Sequence, residues 1–244
     1  MENQKVALIT GSNRGLGFET AKQLGEKGIT VILTAREQKT ADEAAAKLTA
    51  RGIHAYGIKL DITDANDRSA VAAYITEKFG KLDILINNAG VGPKGDFFVN
   101  RVVETTEDEF QYVFNTNVFS QVYLTNALLP LLKASGSANV VNLSSLLGSL
   151  TTHSLPDSPL ALKRLSYNAS KTTLNAFTVH LAAELKPFGI RVNSADPGHA
   201  KTDMGGPNAP MEIADGAKTS VELALLGPDG PTGKFIHLGQ ERAW

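Results

Sequence analysis

The segment TGSNRGLG (10–17) is the strongest indicator of the fold, because it puts three glycines between an apolar run and a helix-like segment. Glycine lets the backbone turn tightly and approach a ligand closely. The helix that follows offers unpaired N–H groups and a positive dipole end to a pyrophosphate. In this context the pattern G-x-x-x-G-x-G predicts a dinucleotide-binding loop. The residues expected to contact the cofactor here are Gly11, Asn13, Arg14, Gly15, Leu16 and Gly17.

Short apolar runs alternate with helical patterns along the whole chain. The runs lack polar alternation, which is typical of strands covered on both faces. The alternation predicts an α/β fold of Rossmann type, with a doubly wound parallel sheet of about seven strands between helices in three layers. We expect one domain over residues 1–244. The predicted strands are 5–10, 30–35, 55–61, 83–90, 139–145, 190–198 and 234–239, and the longest predicted helices are 106–133 and 166–186.

Composition excludes several classes of protein. The chain has 244 residues, a formal net charge of −1 and no cysteine, which excludes disulfides, thiolate zinc sites and cysteine nucleophiles. No cluster of Lys and Arg suggests a nucleic-acid partner. No apolar run approaches the roughly 18 residues of a membrane span, and the N-terminus lacks the pattern of a secretory signal. We expect a cytoplasmic protein.

The end of the second predicted strand indicates which nicotinamide cofactor is bound. NAD sites often place an acid there to bind the adenosine ribose, whereas this strand ends in Ala35 and Arg36. The guanidiniums of Arg14 and Arg36 suit a 2′-phosphate, and a hydrogen bond to a charged group contributes roughly 1.5–3 kcal/mol. We therefore predict NADP(H). The alternative is that both arginines are solvated surface residues.

A tyrosine and a lysine lie four residues apart in SYNASK (166–171). On a helix this spacing puts Tyr167 and Lys171 on one face. Both residue types are common, so chance can produce the spacing. An adjacent ammonium, however, lowers a tyrosine pKa from its usual value of about 10 towards the range in which a proton donor works best. We interpret the pair as an acid–base pair.

Further motifs follow in order along the chain: Asp61 after the third strand, NNAG (87–90), NTNVFS (115–120), NLSSLLG (142–148) and PGHAKT (197–202). Together with TGSNRGLG and YNASK, this ordered set covers nearly all of the chain and resembles the short-chain dehydrogenase/reductase family. Within this family, the chain most resembles carbonyl reductases and plant menthone or salutaridine reductases. Three segments carry that resemblance: GITVILTAR, SYNASK and PTGKFIHLGQERAW. The resemblance implies a nicotinamide-dependent oxidoreductase.

The resemblance also implies a role for each matching residue. Tyr167 would donate a proton, and Lys171 would bind the nicotinamide ribose and lower the tyrosine pKa. Ser145 would hydrogen-bond the substrate oxygen, and Asn117 would hold a water that links Lys171 to solvent. The other implied cofactor contacts are Asp61 and Ile62 at the adenine, Asn88, Ala89 and Gly90 at the adenosine ribose, and Pro197, Gly198 and Thr202 at the nicotinamide end.

Two of these assignments have a competitor nearby. Ser144 precedes Ser145, and Asn115 lies two residues before Asn117. Ser145 is preferred because LLG follows it, as in the family's S-x-x-G, and Asn117 because VFS follows it. Ser144 and Asn115 remain the alternatives. No metal site is predicted, because the three candidate histidines are scattered: His153, His180 and His199.

The chain departs from the family between Ser145 and Tyr167, whose separation of 167 − 145 = 22 residues exceeds that of the compact branch. The added residues fall in one of three segments predicted to form substrate loops: 91–105, 146–165 and 199–217. Lys94 or His153 could bind an anion, but the segments carry few such charges. The insertion leaves monomer and homo-oligomer both open. Apolar side chains predicted to face the substrate are Phe97, Phe98, Leu150, Leu155, Met204 and Met211.

The sequence therefore predicts an NADPH-dependent carbonyl reductase that acts on a small, mostly apolar ketone or aldehyde. One alternative is an NAD-dependent alcohol dehydrogenase that works oxidatively, which Ala35 and Arg36 disfavour. The other is a non-catalytic NADP-binding redox sensor. Sensors of this kind often lose the tyrosine or the lysine, whereas Tyr167 and Lys171 are both present.

Overall fold

The computed structural model describes residues 4–94, 102–160 and 164–244. In this part of the chain, eight strands form one sheet in the order β3-β2-β1-β4-β5-β6-β7-β8. All neighbours pair in parallel except β8, which runs antiparallel to β7. The strands are β1 (Val6–Ile9), β2 (Thr30–Ala35), β3 (Ala55–Lys59), β4 (Ile84–Asn87), β5 (Asn139–Leu143), β6 (Arg191–Ala195), β7 (Phe235–His237) and β8 (Gln240–Glu241).

Helices connect the strands and cover both faces of the sheet. α3 shows how local sequence sets their limits: the Asp64 side chain accepts hydrogen bonds from the Asn66 and Asp67 N–H groups, and Gly80 ends the helix in the left-handed conformation. The described helices are α1 (Gly15–Gly25), α2 (Gln38–Thr49), α3 (Ala65–Phe79), α4 (Glu107–Phe114), α5 (Ser120–Ser135), α6 (Leu150–His153), α7 (Leu165–Leu185) and α8 (Ile213–Ala224).

The core lies in two layers, one on each face of the sheet. Side chains alternate along a strand, so β1 sends Val6 and Leu8 into one layer and Ala7 and Ile9 into the other. The first layer also contains residues of α3, α5 and α7, and the second contains residues of α1, α2 and α8. Both faces of the central strands are therefore covered, which explains their unbroken apolar runs.

The predicted doubly wound sheet is confirmed, with three local differences. The predicted helix 106–133 is interrupted, since a π-helical segment (Asn115–Phe119) separates α4 from α5. The predicted loop 199–217 gives way to α8 at Ile213, because apolar residues at helical spacing are buried there beyond the Gly- and Pro-rich residues. β8 adds an eighth strand after a tight turn at Leu238 and Gly239.

The strand order reverses between β1 and β4, which are neighbours in the sheet although two strands separate them in sequence. In open parallel sheets, ligands bind in the crevice that opens at such a reversal, beyond the carboxyl ends of the strands. The loops after β1 and β4 are TGSNRGLG and NNAG, respectively. The fold therefore places both predicted cofactor loops at this crevice.

Candidate active site

Each glycine of the first loop has a steric reason to be glycine. Gly11 and Gly15 have φ values of +58° and +59°, in the left-handed region. A Cβ on Gly17 would lie 2.5 Å from the Asn88 Nδ2 and 2.7 Å from the Gly11 carbonyl oxygen. The loop is thus a sharp turn pressed against the residues after β4, and larger side chains would displace it.

The N-terminus of α1 opens directly from this loop. α1 begins at Gly15, and its N-cap residue, Arg14, has an extended backbone and makes no side-chain hydrogen bond to the helix. The first-turn N–H groups of a helix have no partner within the helix, so they suit a phosphate group at this position. Asn13 and Leu16 flank this turn and are both half-buried.

The loop after β4 is bonded to the glycine loop. Asn88 Nδ2 donates to the carbonyl oxygens of Thr10 (2.7 Å) and Gly11 (3.0 Å). The Thr10 hydroxyl in turn accepts hydrogen bonds from the N–H groups of Asn88 (2.9 Å) and Ala89 (2.8 Å). These bonds fix Asn88, Ala89 and Gly90 beside the crevice, where an adenosine ribose was predicted. Sequence reasoning did not single out Thr10, although its position at the end of a strand was visible.

Asp61 and Ile62 lie two and three residues beyond β3, further along the same edge of the sheet. Asp61 Oδ1 accepts hydrogen bonds from the N–H (2.9 Å) and the hydroxyl (2.7 Å) of Thr63. Ile62 is buried, and its carbonyl oxygen accepts a hydrogen bond from Arg68 Nη1 (2.7 Å). The turn that carries both residues is therefore held in place by its own side chains.

The two predicted phosphate-binding arginines lie in different surroundings. Arg36 directly follows β2 and is exposed. Arg14 Nη1 lies 2.6 Å from Asp203 Oδ2 in an ion pair whose side chains are 73% and 74% exposed. Thr202, the neighbour of Asp203, comes within 3.9 Å of a Cβ built on Gly15. The segment after β6 thus covers the start of α1, and Arg14 carries an acidic partner that the sequence did not reveal.

Tyr167 and Lys171 lie one turn apart on α7, and both are buried. The Lys171 Nζ lies 5.6 Å from the centroid of the Tyr167 ring and donates a hydrogen bond to the Leu143 carbonyl oxygen (2.7 Å). The side chain of Ser145 is hydrogen-bonded to that of Tyr167. A Cβ on Gly148 would lie 2.8 Å from Lys171 backbone and side-chain carbons, so glycine lets the turn after Ser145 rest directly on α7.

The geometry separates Ser145 from its neighbour Ser144. Ser144 is buried, and its N–H donates to the Ala195 carbonyl oxygen (2.8 Å) as part of the sheet edge. Ser145 is half-buried, and its hydroxyl faces Tyr167 while accepting a hydrogen bond from the Leu147 N–H (3.2 Å). The structure therefore brings together the side chains of Ser145, Tyr167 and Lys171.

Asn117 lies in the π-helical segment and is fully buried, whereas Asn115 is exposed. Asn117 Oδ1 accepts a hydrogen bond from the Val91 N–H (2.8 Å), and its Nδ2 donates to the Val91 carbonyl oxygen (2.9 Å) and to the Ser170 hydroxyl (3.1 Å). A Cβ on Gly90 would lie 3.4 Å from Asn117 Oδ1 and 3.7 Å from Lys171 Nζ. Asn117 thus joins the loop after β4 to α7, next to Lys171.

Burial controls the electrostatics of the two α7 groups. It raises the pKa of Tyr167 to about 12, with a smaller increase from the charge of Asp196, while the hydrogen bond with Ser145 acts in the opposite direction. Burial also lowers the pKa of Lys171 to about 8. In the chain by itself, the loss of hydration therefore outweighs the lowering expected from an adjacent ammonium. The predicted lowering, which also relies on the positive charge of an oxidised nicotinamide, stays a prediction for the cofactor complex.

The predicted substrate segments are only partly apolar where they are described. Leu150 and Leu155 are exposed, and Met204 and Met211 are half-buried.

The two residues that could bind an anion have other contacts. His153 Nε2 is hydrogen-bonded to the Leu147 carbonyl oxygen (3.0 Å), whereas Lys94 Nζ lies 5.1 Å from the ring centroid of Tyr112. A cavity of about 350 Å³ opens beside Met211 and Leu238, and another of about 290 Å³ beside Thr202 and Asp203. Phe97 and Phe98 lie outside the described residues.

The nicotinamide end was predicted from Pro197, Gly198 and Thr202, which follow β6. Gly198 has a φ of +68°, and a Cβ there would lie 3.0 Å from both the His237 Cε1 and the Met211 Cε. Asp196, immediately before this turn, is buried and accepts hydrogen bonds from the N–H groups of Leu146 (3.2 Å) and Gly198 (3.0 Å). Sequence reasoning missed Asp196, because its partner Leu146 lies 50 residues away.

Comparison with known proteins agrees with this geometry. The model of the short chain dehydrogenase family matches residues 5–213. The chain is 34% identical to (-)-isopiperitenone reductase of Mentha piperita, and the match covers 96% of each chain. Among solved structures, salutaridine reductase of Papaver somniferum has a TM-score of 0.82 at 30% identity, and the match covers 95% of this chain and 99% of the other. NADPH-bound carbonyl reductase from chicken fatty liver has a TM-score of 0.86 at 28% identity, with 99% of this chain and 100% of the other covered.

Within residues 4–94, 102–160 and 164–244, every helix is too short or too polar to cross a membrane.

Proposed function

This chain belongs to the short chain dehydrogenase family of oxidoreductases, and we propose that it is an NADPH-dependent carbonyl reductase. The observation that carries the proposal is the meeting of Ser145, Tyr167 and Lys171 at the carboxyl edge of the sheet. This group lies next to Asn117 and to Gly90, which belongs to the loop after β4 that is bonded to the glycine loop.

The residues at the crevice fit a dinucleotide. The left-handed glycines and the start of α1 offer backbone N–H groups to its pyrophosphate. Asp61, Ile62 and residues 88–90 would hold the adenosine half. Pro197, Gly198 and Thr202 would hold the nicotinamide half, with Lys171 at the nicotinamide ribose. When bound, the reduced nicotinamide supplies the hydride that the carbonyl carbon accepts.

Charge at the end of β2 supports NADP(H) over NAD(H). The strand ends in Ala35, where an NAD site commonly has an acid. Arg36 is exposed directly after it, and Arg14 lies at the start of α1. Two guanidiniums near the adenosine ribose would bind a 2′-phosphate through charge-assisted hydrogen bonds. Binding of NADP(H) requires Arg14 to exchange its contact with Asp203 for the phosphate.

Tyr167 can supply the proton that carbonyl reduction needs. Burial raises its pKa to about 12, so the hydroxyl is protonated at neutral pH and can donate a proton to the oxygen of a carbonyl as that oxygen becomes an alcohol. Proton release leaves a phenolate, which burial disfavours and a neighbouring positive charge favours. Ser145 donates its hydroxyl hydrogen to the same substrate oxygen, and Lys171 places a positive charge beside the tyrosine.

The described surroundings favour a small, mostly apolar ketone or aldehyde. Leu150 and Leu155 expose apolar surface on the segment between Ser145 and Tyr167, and Met204 and Met211 add apolar surface from the segment after β6. Two of the similar proteins are named as reductases of isopiperitenone and salutaridine. We therefore propose an uncharged carbonyl compound as the substrate.

The test measures initial rates of cofactor oxidation with NADPH and with NADH over a panel of apolar ketones, aldehydes and matched keto acids. We expect kcat/KM to be at least about tenfold higher with NADPH, since one charged hydrogen bond provides that much selectivity. An Arg36→Ala variant should lose most of this preference without losing activity with NADH. Equal rates with both cofactors, or a clear preference for the keto acids, would refute the proposal.

A further inference from the structure

Asp196 is a buried carboxylate that the proposed reaction does not use. It lies between β6 and Pro197, and only 2% of its surface is exposed. Removing a carboxylate from water is unfavourable unless hydrogen bonds and opposite charges replace its hydration. The partners of Asp196 therefore indicate why a carboxylate is placed there.

One oxygen of Asp196 joins two turns of the site. Its Oδ1 accepts hydrogen bonds from the Leu146 N–H at 3.2 Å and from the Gly198 N–H at 3.0 Å. Leu146 directly follows Ser145, whereas Gly198 belongs to the turn after β6 at the nicotinamide end. A single oxygen atom thus bridges these two turns.

The other oxygen faces the hairpin of β7 and β8. Asp196 Oδ2 lies 3.5 Å from His237 Nδ1 and 3.6 Å from Arg242 Nε. The same hairpin is bonded to β6, since the Asp196 N–H donates to the Ile236 carbonyl oxygen (2.8 Å). The two hydrogen bonds at Oδ1 therefore orient the carboxylate, while Oδ2 faces Arg242 and His237, whose Nδ1 is hydrogen-bonded to the main-chain oxygen of Asp196 (2.9 Å).

The chain after β8 contacts the Ser145–Tyr167 segment at a second point. The Thr151 N–H, in α6, donates to the Trp244 carbonyl oxygen at 2.7 Å. The Trp244 ring stacks on Phe235 of β7 with centroids 5.7 Å apart. The segment that carries Ser145 is thus hydrogen-bonded to the β6–β8 edge of the sheet at two residues. At Leu146 the partner is Asp196, and at Thr151 it is Trp244.

We propose that Asp196 is a positioning residue for carbonyl reduction, which fixes the Ser145 hydroxyl relative to the Pro197–Gly198 turn. The inference rests on the reductase function proposed above. Ser145 must hold the substrate oxygen while the turn after β6 holds the hydride donor, and errors of about 1 Å in such a geometry cost roughly a hundredfold in rate. Asp196 contacts both turns through backbone N–H groups, so its effect does not depend on which carbonyl compound is bound.

The test compares Asp196→Ala with Asp196→Asn and with a control, Asp83→Ala. Asp83 is also buried and accepts a backbone hydrogen bond, from Val6 (2.8 Å), but it lies at the amino end of β4, away from the site. We expect Asp196→Ala to lower kcat by about tenfold to a hundredfold with little change in NADPH affinity. Asp196→Asn should keep kcat within about threefold, because its amide oxygen can accept both hydrogen bonds. Asp83→Ala should lower thermal stability but leave kcat unchanged.

A second measurement does not depend on turnover. Hydrogen–deuterium exchange should be faster at the Leu146 and Gly198 amides of Asp196→Ala, and unchanged there in Asp83→Ala. If the wild type reduces no carbonyl compound, the proposed function fails, while this readout still tests whether Asp196 fixes the two turns. Wild-type kcat in Asp196→Ala, an equal loss in Asp83→Ala, or unaltered exchange at Leu146 would each overturn the proposal.

Discussion

At the scale of single residues, burial shifts the pKa values of two groups in the site in opposite directions. Burial raises the pKa of Tyr167 to about 12 and lowers that of Lys171 to about 8. In each case the neutral form is favoured, because charge is poorly hydrated there. Tyr167 is thereby kept protonated for donation, and Lys171 becomes the group that titrates just above neutral pH.

Lys171→Met should abolish activity yet stabilise the fold at neutral pH. The folded-state pKa of Lys171, about 8, lies below its ordinary value of 10.5. The unfolded chain therefore binds more protons between these two values, and wild-type stability rises with pH across that window. At pH 7 the buried charge costs up to about 3 kcal/mol. Thermal midpoints at pH 7 and pH 10 check this: the advantage of Lys171→Met should shrink at pH 10, and a pH-independent difference would contradict it.

Asp203→Asn should tighten the binding of NADP(H). The Arg14–Asp203 pair is exposed, so releasing Arg14 is worth at most about 1 kcal/mol, or about fivefold in Kd. NAD(H) lacks the 2′-phosphate and should gain less. Fluorescence titration measures both affinities, with Glu241→Gln as a control that removes the same charge from another exposed pair. Weaker NADPH binding in Asp203→Asn would show that Arg14 does not exchange partners.

At the scale of elements, the contact between α7 and the turn after Ser145 depends on one glycine. Gly148→Ala would place its Cβ 2.8 Å from Lys171 backbone and side-chain carbons, so the turn must move away from α7. We expect kcat/KM to fall by about tenfold to a hundredfold. Gly227→Ala is the control, because a Cβ there meets nothing within 4 Å. Steady-state rates of both variants test this prediction. Full activity in Gly148→Ala would mean that catalysis does not need this close contact.

Elements also show where prediction from sequence ends. The apolar pattern of residues 106–133 predicts one helix, but it does not reveal the π-helical segment that turns Asn117 inward. The inward orientation of Asn117 is stabilised by hydrogen bonds to Val91 and Ser170, which come near Asn117 only in the folded chain. Likewise, the start of α8 was not predicted, because Gly and Pro dominate the residues just before it. Local patterns predicted the fully buried strands β1, β2 and β4 well, since burial on both faces leaves a continuous apolar run.

At the scale of the whole molecule, the parallel sheet brings loops that are distant in sequence together at one edge. The glycine loop, Gly90, Ser145 and Gly198 follow β1, β4, β5 and β6, respectively, and α7 adds Tyr167 and Lys171. Motif order and the resemblance were enough to predict which residues meet there. They did not predict the Arg14–Asp203 pair, the role of Thr10 or the contacts of Asp196, because each depends on loop positions that only the folded chain defines.

Cofactor binding should therefore stabilise the entire fold. A ligand at 100 times its Kd adds about 2.7 kcal/mol, and for a domain of this size that corresponds to about 5–10 °C in Tm. We expect NADPH to raise Tm by this amount and NADH at the same concentration to raise it less. Thermal scans over a range of concentrations test this prediction. An equal rise with both cofactors would remove the support for a 2′-phosphate site.

The most direct test of the proposed reductase is the rate of NADPH oxidation with apolar ketones, measured for wild type and Tyr167→Phe side by side. Phenylalanine keeps the ring and removes only the hydroxyl, so binding of NADPH should persist while turnover falls by about a hundredfold or more. That result would support Tyr167 as the proton donor. Turnover that survives in Tyr167→Phe would contradict this role, and absence of turnover in the wild type despite tight NADPH binding would contradict the reductase function itself.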